Sequence, residues 1–208
     1  MGELQAFFKL GSQVLVQGMT LLAVYDHAGH GDAGQQPLPK LVSSDAELIA
    51  RELAERGIAF ERWPAQVELG ADADQAAILA AYASEIARVQ QGGGYGTVDA
   101  IRMTPDHPER ASFRQKFLAE HTHSEDEVRF FVEGRGLFCL HLGHEVLQLV
   151  CEQHDWIAVP AGTRHWFDMG AQPQFCALRF FNNSEGWVAQ FTDDPIAANY
   201  PLLEALIR

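Results

Sequence analysis

Two histidines and a glutamate in the second half of the chain have the spacing of metal ligands. They are His121, His123 and Glu127, which all have odd numbers. Successive side chains of a β-strand point to opposite faces, so residues of equal parity share a face. The spacing therefore predicts that two imidazoles and one carboxylate converge from one strand. Such a group provides most of the ligands of a divalent metal ion.

A histidine further along the chain can complete this group. His165 follows Pro160 and Gly162, which favour a turn that presents the imidazole. Imidazole and carboxylate ligands suit Fe(II), Ni(II), Co(II) or Mn(II), and the lack of a thiolate ligand argues against structural zinc. An isolated histidine is more often an ordinary core or surface residue, and we interpret six in this way: His27, His30, His107, His141, His144 and His154.

Two further residues have the parity that would place their side chains beside the predicted metal site. Arg129 shares the face of Glu127, where a fixed positive charge would favour an anionic substrate. A structural ion pair is the alternative role for this arginine. Phe167 shares the face of the fourth predicted ligand, where an aromatic ring would exclude water. Trp187 and Phe131 are weaker candidates for the same wall, and packing in the core is the better interpretation of Phe131.

The elements that must position these residues divide the chain into a helical first half and a strand-rich second half. The capping-box pattern Ser44–Glu47 predicts one helix, a second is predicted from Asp74 to 92–94, and a third over 109–119. A strand is predicted at Val98–Met103. Further short strands, separated by glycines that include Gly134 and Gly136, are predicted at Val128–Glu133, Leu137–Leu142, Glu145–Cys151, Trp156–Val159 and Phe175–Phe181. This pattern predicts a mainly β protein with flanking helices, built on an antiparallel sandwich or barrel.

Composition excludes several classes of protein. The chain has 208 residues, of which 47% are hydrophobic and 21% charged, which is typical of one folded domain. Fifteen Lys and Arg against 28 Asp and Glu give a net charge of −13. Without a basic block, a nucleic-acid partner is not expected. The sequence also lacks the apolar run of about 18 residues that a membrane-spanning helix needs.

Cysteine usage and the N-terminus predict a cytoplasmic protein. The three cysteines, Cys139, Cys151 and Cys176, form no C-x-x-C pair and are odd in number, which fits a reducing compartment. The N-terminal sequence makes a poor signal peptide. We interpret residues 1–18 as an N-terminal extension and residues 19–208 as one domain. The acidic surface without an obvious apolar patch predicts a monomer.

The predicted ligands lie in two segments that resemble the motifs of the cupin superfamily. These segments are His121–Gly134 and Pro160–His165. The resemblance implies a double-stranded β-helix, the jelly-roll type of antiparallel β-barrel. Two positions depart from the pattern: His154 stands where the second motif usually opens with glycine, and Met169 where it usually closes with asparagine. Neither position is expected to bind metal.

A narrower resemblance is to the acireductone dioxygenases. It covers about residues 40–205, and its most specific segments are Glu120–Phe131, Val159–Gly170 and Glu185–Phe191. The resemblance implies that one Fe(II) or Ni(II) ion per chain is bound by His121, His123, Glu127 and His165. It also implies that Arg129 lies beside the metal site and Arg179 near the substrate, where parity already predicts Phe167.

The implied activity is the oxidative cleavage of 1,2-dihydroxy-5-(methylthio)pent-1-en-3-one (acireductone) by O₂ in methionine salvage. The family resemblance implies 4-methylthio-2-oxobutanoate and formate with iron, and 3-(methylthio)propanoate, formate and carbon monoxide with nickel. The alternatives are a cupin dioxygenase with another small substrate, a non-catalytic metal-binding cupin, and a regulatory or scaffolding protein.

Overall fold

The computed structural model describes residues 19–27, 36–182 and 188–207. Its strands are β1 (Leu21–Asp26), β2 (Leu41–Ser43), β3 (Ala59–Arg62), β4 (Thr97–Met103), β5 (His121–Thr122), β6 (Glu127–Leu142), β7 (Glu145–Glu152), β8 (Asp155–Val159), β9 (Arg164–Asp168), β10 (Phe175–Phe181) and β11 (Gln190–Phe191). Its helices are α1 (Ala46–Glu55), α2 (Gln75–Ala81), α3 (Ala83–Gln91), α4 (Arg110–Phe117), α5 (Leu203–Leu206) and a 3-10 helix (Pro195–Asn199). None of these helices is long and apolar enough to cross a membrane. The prediction of a mainly antiparallel β fold with flanking helices is confirmed.

The strands form two antiparallel sheets that share one long strand, β6. In the larger sheet the order is β11-β5-β9-β6-β7-β1-β2, and the C-terminal half of β6 pairs with β7 and β9. In the smaller sheet the order is β4-β10-β6-β8-β3, and the N-terminal half of β6 pairs with β8 and β10. Within the described ranges this pairing does not close into a ring. The two sheets instead pack face to face around a shared interior.

Two glycines allow β6 to pass from one sheet to the other. We predicted that Gly134 and Gly136 separate two strands, but both lie inside the single strand β6. Gly134 has a φ of +61°, and a Cβ there would lie 1.8 Å from the carbonyl oxygen of Gln174. A Cβ on Gly136 would lie 2.2 Å from the ring of Phe167. These glycines therefore mark close packing where the strand changes sheets, and not a turn.

Apolar side chains fill three layers, one between the sheets and one outside each of them. The interior layer includes Phe131, Leu147 and Ile157, so the prediction that Phe131 is a core residue is confirmed. Outside the larger sheet, Trp166 packs against Tyr200 and the C-terminal helices. Outside the smaller sheet, α2 and α3 cover β6 and β10. Strands β1, β6, β7 and β10 are thus buried along most of both faces, which explains their largely apolar sequences.

The helices begin close to their predicted starts, but the first half is not mainly helical. The side chain of Asp45 accepts a hydrogen bond from the N–H of Leu48, so Asp45 caps α1 and the predicted cap Ser44 lies one residue too early. Asp74 caps α2 as predicted. The helix predicted from Asp74 to 92–94 is divided at Tyr82, where φ is −114°. The same half of the chain supplies β1 to β4, of which only β4 was predicted.

Two buried carboxylates lie together where β7 ends and β8 begins. Asp155 is fully buried and accepts hydrogen bonds from the hydroxyl of Thr20 and the N–H of Glu152, at 2.5 and 2.8 Å. It also pairs with Arg62 at 2.9 Å, and Glu152 pairs with Arg135 at 3.2 Å. Burial nevertheless raises the pKa of Asp155 to about 6 and that of Glu152 to about 7.

These raised pKa values predict that the fold loses stability as the pH rises through them. In an unfolded chain Asp and Glu titrate near pH 4, so between about pH 4 and pH 7 the folded chain holds more protons. We expect Glu152→Gln to flatten this slope and to be about 1 kcal/mol more stable than wild type near pH 8, since Arg135 and solvent screen the charge. Urea unfolding of metal-free protein at about pH 5 and pH 8 measures the effect.

Glu133→Gln is the matched control for this prediction, because Glu133 is also paired with an arginine, Arg102, at 3.0 Å. Its unfolding free energy near pH 8 should not rise as that of Glu152→Gln does, because the side chain of Glu133 is 30% exposed and that of Glu152 only 8%. If the unfolding free energies of wild type and Glu152→Gln depended equally on pH, the pH dependence could not come from Glu152.

Candidate metal centre

The structure brings the four predicted ligands together at one end of the sandwich. His121 lies in β5 and pairs directly with His165 in β9, His123 lies in the turn after β5, and Glu127 begins β6. All four side chains are buried. One ligand atom from each lies within 4.8 Å of the ligand atoms of the others. This is a distance at which one ion can contact all four.

His121, His123 and Glu127 converge from two strands and a turn, and not from the single strand that their equal parity predicted. Residues 123–126 form a turn that carries the chain from the larger sheet to the smaller one. Asp126 holds this turn by accepting a hydrogen bond from the N–H of Ala161 at 2.9 Å. The carbonyl of His123 likewise accepts the N–H of Gly162 at 2.9 Å. The β8–β9 turn that precedes His165 thus supports the turn that carries His123.

Each of the three histidines is oriented by a backbone carbonyl. The Nδ1 atoms lie 2.7, 3.1 and 2.8 Å from carbonyl oxygens, in the pairs His121–Ala119, His123–Val188 and His165–Thr163. A carbonyl oxygen can only accept a hydrogen bond, so each Nδ1 must carry a proton. Each Nε2 then presents its lone pair to the cluster, as metal-binding histidines do.

The distances between the carboxylate of Glu127 and the neighbouring imidazoles leave a position for a cation. Its Oε2 lies 3.1 Å from Nε2 of His123 and 2.9 Å from Nε2 of His165. With a proton on Nδ1, a neutral imidazole would direct its lone pair at the carboxylate, so a second proton or a cation must lie between them. Burial lowers the pKa of His165, but the charge and hydrogen bond of Glu127 outweigh burial and raise it above its usual value. A divalent ion among these atoms would replace such protons, so the four residues fit one.

The imidazole of His121 is poised differently from that of His165. Burial, with a smaller contribution from His165, lowers the pKa of His121 to about 4. This imidazole is therefore neutral near pH 7, which is the form that binds a metal ion.

Arg129 faces the cluster and also makes an ion pair, so both interpretations of this residue describe part of its environment. Its Nη2 lies 2.7 Å from Oε1 of Glu127, and the residue is 6% exposed. Its guanidinium carbon lies 4.6 Å from the ring centre of Phe167. Burial raises the pKa of Glu127, but the charges of Arg129 and His165 outweigh it and hold that pKa well below its usual range. The ion pair therefore keeps a predicted ligand ionised.

A cavity of about 90 Å³ adjoins the four residues. The three residues that were predicted to lie beside a substrate all line it: Arg129, Phe167 and Arg179. Arg179 donates hydrogen bonds from Nε and Nη2 to the carboxylate of Asp99, at 2.8 and 2.6 Å. Trp187 lies outside the described residues. The structure thus brings together the predicted ligands and the predicted neighbours.

Sequence reasoning did not select several residues that also line this cavity. They are Lys116, Phe117, Ala189 and Phe191. Lys116 and Phe117 end α4, and Phe191 lies in β11 opposite His121. A two-residue strand such as β11 has too little alternation to be found by its period. The position of Phe191 could be found only from its pairing with β5.

A larger cleft lies elsewhere and contains none of the four residues. Its volume is about 1020 Å³, and its lining includes Arg102, Glu133, Gly134 and Arg135. These residues belong to β4 and to the middle of β6, whereas the metal cluster lies at the start of β6. The convergence of ligand atoms, and not cavity size, identifies the candidate site.

Comparisons with known proteins give one consistent result. The model of the ARD/ARD′ family matches residues 24–189. The acireductone dioxygenase of Synechococcus sp. (strain RCC307) is 63% identical over 185 residues, which are 89% of this chain and 99% of that protein. That of Parasynechococcus marenigrum (strain WH8102) is 64% identical over 186 residues, covering 89% of this chain and 100% of that protein.

A solved structure agrees with the sequence comparisons. It is an acireductone dioxygenase from Bacillus anthracis with a cadmium ion in its active centre. The match has a TM-score of 0.68 and 26% sequence identity, and it covers 85% of this chain and 100% of the other. The cupin-type architecture that was predicted from the sequence is confirmed by this match.

Proposed function

The chain belongs to the acireductone dioxygenase family, and from this premise we propose that it cleaves acireductone, 1,2-dihydroxy-5-(methylthio)pent-1-en-3-one, with O₂ in methionine salvage. The observation that carries the proposal is the cluster of three imidazoles and one carboxylate, whose ligand atoms lie within 4.8 Å of one another. The cavity beside this cluster is bordered by guanidinium groups, which suit an anionic enediolate.

We infer that one divalent ion, Fe(II) or Ni(II), is held by His121, His123, Glu127 and His165. Support comes from the three Nδ1–carbonyl contacts, which direct each Nε2 into the cluster. Nitrogen and oxygen ligands accept both metals, so supply in the cell is expected to decide which is bound. When bound, such an ion supplies Lewis acidity that favours the deprotonated enediolate.

The side chains around the cavity have separate roles in this proposal. Arg129 and Arg179 provide fixed positive charge for an anionic substrate, and Arg129 also holds Glu127 in place through their 2.7 Å contact. Phe167, which is 2% exposed, packs under the guanidinium of Arg129 and keeps water from that side. The protein thus orients the substrate, balances its charge and limits water, while the metal and substrate supply the redox chemistry.

Product analysis tests the proposed function. Protein stripped of metal is reloaded separately with Fe(II) and with Ni(II), and each form is mixed with acireductone in air. We expect 4-methylthio-2-oxobutanoate and formate from the iron form, and 3-(methylthio)propanoate, formate and carbon monoxide from the nickel form. If neither form consumes O₂, the substrate assignment is wrong even though the metal cluster remains.

We further infer a single domain over residues 19–208, with residues 1–18 as an extension. Support comes from the relatives, nearly all of whose length is matched by 185 or 186 residues of this chain. A monomer is proposed because one chain supplies all four ligands. A cytoplasmic location is proposed because its three cysteines are buried and unpaired.

A further inference from the structure

Glu120 is a buried carboxylate next to a predicted metal ligand. It is 1% exposed and immediately precedes His121. One carboxylate oxygen, Oε1, lies 2.6 Å from Nδ1 of His141 in β6. The other, Oε2, accepts a hydrogen bond from the hydroxyl of Thr192 at 2.6 Å. Both oxygens of this buried group therefore have a partner, as burial requires.

The backbone at this position connects the same elements. The carbonyl of Glu120 accepts the N–H of Thr192 at 3.1 Å, and the carbonyl of Ala119 lies 2.7 Å from Nδ1 of His121. Glu120 thus contacts Thr192 through both its side chain and its main chain. The carbonyl that orients His121 belongs to Ala119, the residue before Glu120.

These contacts surround the narrow strand that carries His121. β5 has two residues and lies between β9 and β11, with His121 opposite His165 on one side and Phe191 on the other. The ring of Phe191 lies 5.8 Å from that of His121 and borders the cavity. Such a short strand makes few hydrogen bonds of its own. Its position therefore depends on side-chain contacts at its ends.

We propose that Glu120 is a positioning residue that binds β6 through His141 and the segment after β11 through Thr192, and so fixes His121 and the Phe191 wall of the cavity. This inference rests on the proposed function for its effect on substrate, but its effect on metal binding stands independently of it. Glu120 is neither one of the four clustered residues nor part of the lining of the cavity. It acts through the orientation of His121 and the placement of Phe191.

The proposal predicts different effects for the loss of the whole Glu120 carboxylate and for the loss of its contact with Thr192 alone. Glu120→Ala removes both contacts and should weaken Ni(II) binding about 10- to 100-fold, as is typical when the partner that orients a ligand is lost. Thr192→Val keeps the side-chain shape but loses the hydroxyl, which should raise KM for acireductone about tenfold. In this variant kcat and Ni(II) affinity should remain near wild type, because the His141 contact is kept.

Two conservative variants separate positioning from a loss of folding. In Glu120→Gln the amide oxygen can still accept from Thr192, and the amide N–H₂ can donate to Nδ1 of His141 once that ring carries its proton on Nε2. Thr192→Ser retains the hydroxyl. We expect both variants to recover most of the wild-type Ni(II) affinity and KM.

The matched control is Asp155→Ala, which also removes a buried carboxylate bonded to a threonine hydroxyl, that of Thr20. Asp155 lies at the start of β8, away from the metal cluster, because it is the other end of β8, at Val159, that pairs with Glu127. This variant should have a lower Tm but unchanged Ni(II) affinity.

The experiment measures Ni(II) affinity by competition with a chelator, Tm, and the separate kcat and KM values of each nickel-loaded protein. Weak Ni(II) binding by Glu120→Ala together with normal binding by Asp155→Ala supports the proposal. An equal loss of Ni(II) affinity in Glu120→Ala and Asp155→Ala overturns it. Wild-type Ni(II) affinity and KM in both Glu120→Ala and Thr192→Val also overturn it. If the wild-type protein does not oxidise acireductone, the proposed function fails, while the Ni(II) affinities still decide the role of Glu120.

Discussion

Replacement of His123 by alanine is expected to remove stoichiometric metal binding and to lower turnover by at least about a thousandfold, more than the 10- to 100-fold typical of residues that only support a ligand. Nε2 of His123 lies 3.1 Å from the carboxylate of Glu127 and faces the interior of the cluster. Alanine leaves three of the four donors and an open position. The fold should persist, because His123 belongs to a turn and to none of the three apolar layers.

His123 gives a cleaner test than Glu127. Glu127→Ala would leave the guanidinium of Arg129 buried without its 2.7 Å carboxylate partner, which costs about 3–5 kcal/mol in typical proteins. A loss of activity in that variant would mix loss of the ligand with loss of folding. The matched control for His123→Ala is His144→Ala, since His144 is exposed on the β6–β7 turn.

Metal content after dialysis, Tm and O₂ consumption measure the outcome. His123→Ala should have little metal, a wild-type Tm in metal-free buffer and no measurable turnover. His144→Ala should match wild type in all three. One metal ion retained per chain of His123→Ala would remove His123 from the ligand set.

The grouping of His121, His123 and Glu127 could be predicted from the sequence because it depends on local spacing, whereas the path of the chain between them could not. Their odd numbers predict that His121, His123 and Glu127 share a face only if one continuous strand contains all three. The chain instead leaves the larger sheet after Thr122 and enters the smaller one at Glu127. A turn of this kind depends on partners distant in sequence, such as the contact between Asp126 and Ala161. Local pattern contains no information on that contact.

The limits of the fold prediction have a similar cause. β6 was predicted as two strands because glycine usually ends a strand, but here Gly134 and Gly136 allow close contact with Gln174 and Phe167. The partners of these glycines come from two other parts of the chain. Strands β2, β3, β5 and β11 have between two and four residues, which is too short for a period to be recognised.

Arg129→Met is expected to keep the metal but to lower kcat/KM for acireductone about 10²- to 10³-fold, the usual effect of removing one preorganised group that stabilises developing charge. Methionine has a similar length and fits among the rings of Phe138 and Phe167, whose centres lie 5.1 and 4.6 Å from the guanidinium carbon. Metal binding should persist because all four proposed ligands remain, Oε2 of Glu127 still lies within 3.1 Å of both His123 and His165, and a charge that repels a metal ion is removed.

A pH profile distinguishes charge control from simple packing. A guanidinium beside the cavity favours the deprotonated form of the bound substrate, so its loss should move the acidic limb of the kcat profile to higher pH. Arg129→Lys keeps a positive charge without the planar fork, and should recover part of the rate and most of the profile. An unchanged rate in Arg129→Met would leave Arg129 with the ion pair to Glu127 as its whole role. A reduced rate with an unshifted profile would instead indicate that Arg129 shapes the cavity without controlling the charge of the substrate.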